Sequence, residues 1–545
     1  MNLYSNNMKD IRFVYMFWAG LFVVLLIRSF YFGINYFPFL DDYNTYGIFN
    51  RRNAQIWNDI ILYYRHYTWR PFAFFADAYI TQWFWPNMWP VLLFHVILHF
   101  AAVWLFHRVM VLSGLNFGLL GIIIISLTPI LAEAVYWIGA STRLVTGMFF
   151  SVLSVYVLLV HIKLQNQDKY YKRLLLLFAL LNFIATGFYE QIIAFNLVFT
   201  GAVIFLNRHK IYAYTKIITA IPIINTVAMI VYYIIMAPLG RVGERAVLIA
   251  FGDVFSHFFN VTRALGNLLL ITQYEISFNG LVRSFSLINL WGAFVLLLLV
   301  LFSIFVVFSY SRTYLIFGEE RYSKYHIRLA LGFILTMAAF SPFYLLADIW
   351  LPPRIIYPAA FGIAVFIDAL FSFVFKDKLT FLKSLIPGVL IIPFFLIFIA
   401  EVNNYRLLEE IDRQIMYNFL ETFEQSGQSD QNMVVLFNTA YVFAGVTGGG
   451  SPHRLENITS SNWAMLGKAN ATSREFYFRQ MEPVQNTGNF PGAWAEGALF
   501  GLNEDFSVNH LNLRGNNLYV VNTGQLFGRV EIAPEDSAFL RFIKE

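Results

Sequence analysis

The residues that could do chemistry form a short series of polar groups set among apolar ones. Asp41 and Asp42 stand side by side after the first long apolar run. Two carboxylates in a loop can point at one site. That arrangement suits a general base or a divalent-metal ligand, with Asp42 the candidate ligand for Mg or Mn. It equally suits a pair that starts a helix or a turn, because Asp is favoured there. Trp69-Arg70-Pro71 follows. Pro71 fits a first helical position. Arg70 could hold a phosphate, pair with an acid or anchor an interface. His95 and His99 sit four residues apart, hence on one helical face, and could bind a metal or bridge helices by hydrogen bonds. Glu133 lies beyond Pro129, which breaks its helix and frees backbone groups. Arg143 follows ten residues later and could pair with it. Glu190-Gln191 opens another apolar run, where an acid also suits a helix N-terminus. Arg354 and Tyr357 open a late run after Pro352-Pro353. An Arg at a helix start opposes the macrodipole, which calls for an anionic partner such as Asp348 or a ligand phosphate.

The elements that must position these residues follow from composition. Of 545 residues, 58% are hydrophobic and 13% charged, about half the charged share of an average soluble domain. This excludes a soluble enzyme and a disordered chain. With no Cys, disulfides, thiolate metal sites and Cys nucleophiles are excluded. The net charge of +5 is ordinary for Lys and Arg that set membrane topology, and carries no sign of nucleic-acid binding.

Runs of about 20 apolar residues mark membrane-spanning helices. Eleven are expected, near 12–35, 88–107, 117–136, 144–162, 172–187, 190–206, 217–236, 286–309, 329–347, 355–374 and 384–400. The first holds Arg28, costly in lipid unless it faces protein or an interface. With the N-terminus cytoplasmic, alternate loops hold nearly all the Lys (Lys9, Lys163, Lys169, Lys172, Lys210, Lys216, Lys324, Lys376, Lys378, Lys383), and the opposite loops before the tail hold none. The positive-inside rule then makes this a multi-pass protein of a plasma, inner or ER-like membrane with residues after about 401 extracytoplasmic.

The expected fold class is all-α and polytopic, with two domains. Residues 1–400 form the membrane domain, with interfacial helices in the long outside loops 36–87 and 237–285. In the first loop these are a short helix at Ala54–Tyr67 and an aromatic amphipathic stretch at Pro71–Trp85. Residues 401–545 form a small soluble α/β or β-rich domain. It opens with a charged helix from Glu401 to Glu424 and has strand-like runs at Met433–Phe437, Leu518–Val521 and Arg529–Ile532, between turns such as Gly448–Gly450 and Asn516–Asn517.

Taken in order, these pieces resemble the GT-C superfamily of membrane glycosyltransferases. The nearest branch is the protein O-mannosyltransferases of the type that also carries TPR repeats. That group has an acidic pair after span one, a Tyr-Arg-Pro-Leu element and a helix with two His. It then has a His-Pro-Ile-His-Thr-Glu-Ala-Val-Ala-Trp-Ile element, a Lys-Glu before span six and an Arg-(x)-Leu-Tyr-(x)-Pro element. The matching residues here are Asp41-Asp42, Trp69-Arg70-Pro71-Phe72, Phe94-His95-Val96-Ile97-Leu98-His99, Thr128-Pro129-Ile130-Leu131-Ala132-Glu133-Ala134-Val135-Tyr136-Trp137-Ile138, Tyr189-Glu190 and Arg354-Ile355-Ile356-Tyr357-Pro358. The resemblance spans roughly residues 30–365. It departs at Thr128, where the family has His, at Tyr189, where it has Lys, and at Ala140-Ser141-Thr142-Arg143, which lacks the family's acid. There are no TPR repeats.

The resemblance implies a glycosyltransferase, specifically a hexosyltransferase. Its donor is a sugar on a polyprenyl phosphate and its acceptor a hydroxyl of a protein, glycan or lipid, both met on the extracytoplasmic face. Asp41 or Asp42 is then the catalytic base or a metal ligand. Arg354, Arg143 and Arg70 are the candidates for the donor phosphate. Glu133, Glu190, Tyr357 and His95 would orient the acceptor or the phosphate clamp. Two other functions fit a large apolar bundle. A flippase for a lipid-linked glycan would place coupling charges at the midplane and show inverted repeats, neither of which is visible. An assembly protein would work through its tail.

Overall fold

Each long apolar run folds as a helix, because backbone groups in an apolar surrounding must pair within their own segment. The computed structural model describes residues 8–47, 70–164, 168–211, 215–236, 249–313, 325–347, 351–375, 380–426, 434–438, 458, 462–473, 478, 481–485, 498–502, 508–514, 517–522, 525–532 and 540–543. The expected helix Ala54–Tyr67, Trp69, Asp348, Lys324, Lys376, Lys378, the turn Gly448–Gly450 and Asn516 lie outside them.

The helices are α1 (Met8–Ser29), α2 (Pro71–Tyr79), α3 (Trp89–Leu112), α4 (Leu119–Leu127), α5 (Ala132–Tyr136), α6 (Ile138–Leu164), α7 (Asp168–Thr186) and α8 (Glu190–Leu206). They continue with α9 (Thr215–Met236), α10 (Val254–Gly266), α11 (Gln273–Ser284), α12 (Leu290–Thr313), α13 (Tyr325–Phe340), α14 (Ile356–Val374), α15 (Thr380–Gln425) and α16 (Asn462–Thr472). The chain divides into two compact units. The first is residues 1–35, 58–76 and 89–402, and the second is 36–57, 77–88 and 403–545.

Among the described residues ten stretches are long and apolar enough to cross a membrane, so the chain is a multi-pass membrane protein; of the eleven expected spans, α7 and the shorter α8 are not among the ten, and Val254–Leu287 is added. Side-chain contacts fix their directions. Tyr357 near the start of α14 meets His99 in the first half of α3, and Phe361 meets Phe106 a turn or two later, so α3 and α14 run parallel. Backbone atoms of α13 and α14 approach closely where two glycines face each other. A Cβ at Gly332 would lie 2.5 Å from Phe366 N, and one at Gly362 2.5 Å from Thr336 N. That pairing makes α13 antiparallel to α14. Likewise Phe13 and Phe17 of α1 meet Phe305 and Phe302 of α12. One end of the bundle, here called the site end, therefore collects the C-termini of α1 and α13 and the N-termini of α3 and α14. Asp368 marks the opposite end, where it pairs with Arg328 at 3.3 Å and accepts the Gly118 N–H at 2.9 Å.

The stretch Val254–Leu287 is long and apolar enough to cross by composition alone. It runs through α10, a π segment at Asn267–Thr272, α11 and a short 3-10 turn. Both of its ends nevertheless lie at the site end. Near its start, His257 Nε2 meets Phe343 O just past α13, and Ile249 N–H donates to Leu345 O. Near its finish, Tyr31 just past α1 donates to Leu287 O, and Arg283 pairs with Glu401. It lies across the bundle end. Its buried face steps through His257, Val261, Leu265, Leu268, Thr272, Ile276, Gly280 and Ser284 at intervals of three or four.

Pro129 breaks the third run as expected. Helix α4 stops at Leu127, Pro129–Leu131 forms a 3-10 turn and α5 restarts the chain. The expected charged helical stretch Glu401–Glu424 is helical. Span eleven and the charged stretch are one helix of 46 residues, α15, despite internal Pro387 and Pro393. Charge changes along it but helix propensity does not, so composition marked a boundary that the backbone ignores.

In the second unit, the strands are β1 (Val434–Asn438), β2 (Met481–Gln485), β3 (Ala498–Leu502), β4 (Val508–Arg514), β5 (Asn517–Asn522), β6 (Gln525–Ile532) and β7 (Leu540–Ile543). They form one sheet of order β2-β1-β3-β4-β5-β6-β7. β1 is parallel to β2 and β3, and the rest is an antiparallel meander. The α16 segment lies between parallel β1 and β2, the usual place for a crossover helix. A core of Ile415, Met416, Phe419, Phe423, Met465 and Phe478 joins α15 to α16.

Candidate functional site

Most of the candidate residues of the first unit meet at its site end, in pairs drawn from sequence-distant segments. Arg70, one residue before α2, makes two parallel bonds to Glu190 at the start of α8, at 3.0 and 3.1 Å. Its guanidinium also stacks on the Tyr189 ring, 4.0 Å from the centroid. Pro71 starts α2 with φ preset for a helix, and the Phe72 N–H donates to Gly187 O. Position and orientation of Arg70 are thus fixed by two neighbouring backbones. A bidentate Arg–carboxylate pair is geometrically specific as well as strong.

The second pair joins Glu133 of α5 to Arg354. Arg354 Nη1 donates to Glu133 Oε1, and the Arg354 backbone N–H donates to Oε2 at 3.2 Å. The guanidinium stands 4.8 Å from the Trp137 ring centroid. The anionic partner that Arg354 calls for is therefore Glu133. Arg143 is half-buried on α6.

Between these pairs stands Gln191, whose spacing in the sequence marks no role. Its Nε2 donates to Ala339 O at the end of α13 and to Ile355 O beside Arg354, both at 2.9 Å. It ties α8 to the turn that carries Arg354. Tyr357 is fully buried and its hydroxyl meets His99 Nδ1 at 2.8 Å, while His99 Nε2 faces Ser126 O at 3.2 Å. His95 faces Ser141 Oγ at 2.8 Å. The two His residues bridge helices and do not share a ligand. Among the described residues no group of three or more His, Asp or Glu is placed to hold a metal.

The second unit holds the acids. Asp42 is buried, and its Oδ2 accepts the Phe39 N–H at 3.0 Å and the Tyr36 hydroxyl. This reaches back three residues across a helix start, as an N-terminal cap does. Asp41 is half-buried, and no hydrogen bond to its carboxylate is present among the described residues. The preceding residue, Leu40, has a φ of +34°. A side-chain-bearing residue held in the left-handed region costs about 1–3 kcal/mol and tends to occur at functional sites.

Two further groups of the second unit carry no distinctive spacing in the sequence. Asp77 accepts the Tyr46 hydroxyl at 2.7 Å; its only signal was an acid inside the aromatic stretch Pro71–Trp85. Lys468 of α16 lies over the Tyr43 ring, 4.0 Å from the centroid, and 3.8 Å from Glu409. Beside them Asp412 is fully buried, with Oδ1 taking the Ile458 N–H at 3.0 Å and Oδ2 unpaired. Burial pushes the Asp412 carboxyl up to about 7, against the opposing pull of Lys468. Burial likewise lowers the Lys468 ammonium and raises the Tyr43 hydroxyl.

No protein-family model matches this chain, and no curated protein matches it.

Proposed function

We propose that this protein is a glycosyltransferase of the GT-C type. It moves a sugar from a polyprenyl phosphate to a hydroxyl of a protein, glycan or lipid on the extracytoplasmic face, with the N-terminus cytoplasmic. The observation that carries the reading is convergence. Motif residues scattered between positions 70 and 357 meet in pairs at one end of the bundle: Arg70 with Glu190, Arg354 with Glu133 and Tyr357 with His99. Their order along the chain is that of the resembled family.

Asp41 is the base. It has the less committed carboxylate of the pair, next to a strained backbone position. In the reaction the acceptor oxygen attacks the anomeric carbon. The bond from that carbon to the phosphate oxygen breaks, the polyprenyl phosphate leaves as an anion, and the acceptor proton passes to Asp41. Removing that proton is worth roughly 10²–10⁴-fold in rate. Arg70 and Arg354 supply cationic charge toward the leaving phosphate, and Glu133 and Glu190 hold those guanidiniums in place. A fixed cation stabilises a developing anion without reorganisation. The C-terminal unit, read as an extracytoplasmic domain, selects the acceptor.

The test is direct. Purified protein in lipid nanodiscs is given a polyprenyl-phosphate sugar with hydroxyl acceptors, and release of polyprenyl phosphate is followed. The reading predicts release with the wild type and loss of at least a hundredfold in Asp41→Asn. Full activity in Asp41→Asn removes Asp41 as base, and absence of transfer with every donor removes the reaction.

A further inference from the structure

We propose that Arg28 is a buried receptor for the phosphate of a membrane lipid, entered at the site end of the bundle. The inference rests on the glycosyltransferase reading only in naming that lipid as the polyprenyl phosphate. Arg28 is one residue from the end of α1 and is 1% exposed. The face of its guanidinium is stacked on the Phe398 ring, 4.1 Å from the centroid. Its edge is not used. Nε, Nη1 and Nη2 are all buried and have no hydrogen-bond partner, and the neighbouring Ser29 Oγ is buried and unpaired as well. Three other arginines of this end are matched. Arg70 has Glu190, Arg354 has Glu133 and Arg283 has Glu401. Arg28 instead lies within electrostatic reach of Tyr357 and His99, themselves hydrogen-bonded to each other.

A buried guanidinium with unspent donors is costly, and a structure keeps one where an anion compensates it. Its planar fork matches two oxygens of one phosphate. A lipid is favoured over a soluble anion because α1 borders the bilayer side of the bundle. Tyr15, Met16 and Val23 on the same helix are exposed apolar or aromatic groups. The chain supplies carboxylates to three other site-end arginines, so a carboxylate at Arg28 would have been as easy to build. Leaving this cation unmatched suits a ligand that brings its own negative charge.

The experiment uses the full chain in nanodiscs of neutral lipid and reads thermal unfolding. The probes are a polyprenyl phosphate, the polyprenol of equal length and inorganic phosphate. The wild type should be stabilised by the polyprenyl phosphate, and at least tenfold higher polyprenol should be needed for the same shift. Arg28→Met should match or exceed the wild type without ligand, since it removes an uncompensated charge, and should lose the preference for the phosphate over the polyprenol. Arg28→Lys should retain a weakened preference. An Arg28→Met protein that keeps the preference overturns the proposal. One that fails to fold, or melts several degrees lower without ligand, marks Arg28 as structural and also overturns it. Equal stabilisation by inorganic phosphate overturns the lipid part. Phosphate-selective binding lost in Arg28→Met, without any sugar transfer, leaves this site standing and sinks the reaction. Transfer undiminished in Arg28→Met does the reverse.

Discussion

Adjacent Asp41 and Asp42 look interchangeable in sequence and are not so in the fold. Asp42 closes the helix start through Phe39 N–H and the Tyr36 hydroxyl. Replacing it with Asn should cost about 1–3 kcal/mol of stability, the penalty for disturbing buried partners. Asp41→Asn should change stability by no more than about 0.5 kcal/mol, since the half-buried carboxylate has no hydrogen bond among the described residues to lose. Chemical unfolding of the two variants separates the roles, and equal losses would refute the division. The Glu133–Arg354 pair gives a second contrast. Glu133→Gln leaves a mostly buried guanidinium short of its counter-charge and should cost about 3–5 kcal/mol. The double variant Glu133→Gln with Arg354→Gln should lose less than the two single losses combined, because the residues act as a unit. Strict additivity in a double-mutant cycle would show that the pair is not coupled. Sequence reading found both acids and both arginines. It could not pair them, because partners such as Glu133 and Arg354 lie 221 residues apart and spacing reports only local neighbours.

Among the elements, the spans were the most legible, since an apolar run of fixed length has few other fates. Less legible were features that depend on contact. The Gly332–Gly362 crossing is one. Gly332→Ala would force a Cβ to within 2.5 Å of Phe366 N, and overpacking of this kind costs about 1–3 kcal/mol. Loss of thermal stability in Gly332→Ala, with Gly201→Ala unchanged at an open position, checks it. The stretch Val254–Leu287 is another. Composition permits it to cross, and only its end contacts place both ends together. Because the chain has no Cys, single cysteines can be read cleanly. Phe255→Cys and Phe285→Cys in sealed vesicles should both react with a membrane-impermeant maleimide added to the same side. Labelling from opposite sides would mean that the helix crosses. The continuity of α15 was hidden for the converse reason: charge is visible in sequence, while helix continuation through Pro387 and Pro393 depends on how neighbours satisfy the freed backbone.

At the scale of the molecule, the scarcity of charge noted in the composition becomes a matter of placement. In the first unit, Arg70 with Glu190, Arg354 with Glu133 and Arg283 with Glu401 pair at one bundle end and Arg328 with Asp368 at the other, while Arg28 stays unmatched. In the second unit the buried cluster of Asp412, Lys468, Glu409 and Tyr43, with Arg413 and Asp42 in electrostatic reach, ties stability to pH. Asp412 titrates near 7 when folded, above its ordinary value, so the folded state holds this proton more tightly than the unfolded chain. Its contribution is fully present below about pH 4 and is lost as the pH rises through 7. Asp412→Asn should therefore flatten the fall in melting temperature between pH 5 and pH 8, and an unchanged slope would remove Asp412 as its source. None of this was legible beforehand, because Asp412 is one of several acids on a charged helical stretch until packing buries it.

Transfer chemistry at a lipid phosphate is tested most directly by donor cleavage in sealed liposomes. With a labelled polyprenyl-phosphate sugar in the membrane and a hydroxyl acceptor on one side, the account predicts stoichiometric formation of glycosylated acceptor and free polyprenyl phosphate by the wild type, and neither by Asp41→Asn. Movement of the intact lipid-linked sugar between leaflets with no cleavage, unchanged in Asp41→Asn, would contradict it and make this protein a transporter.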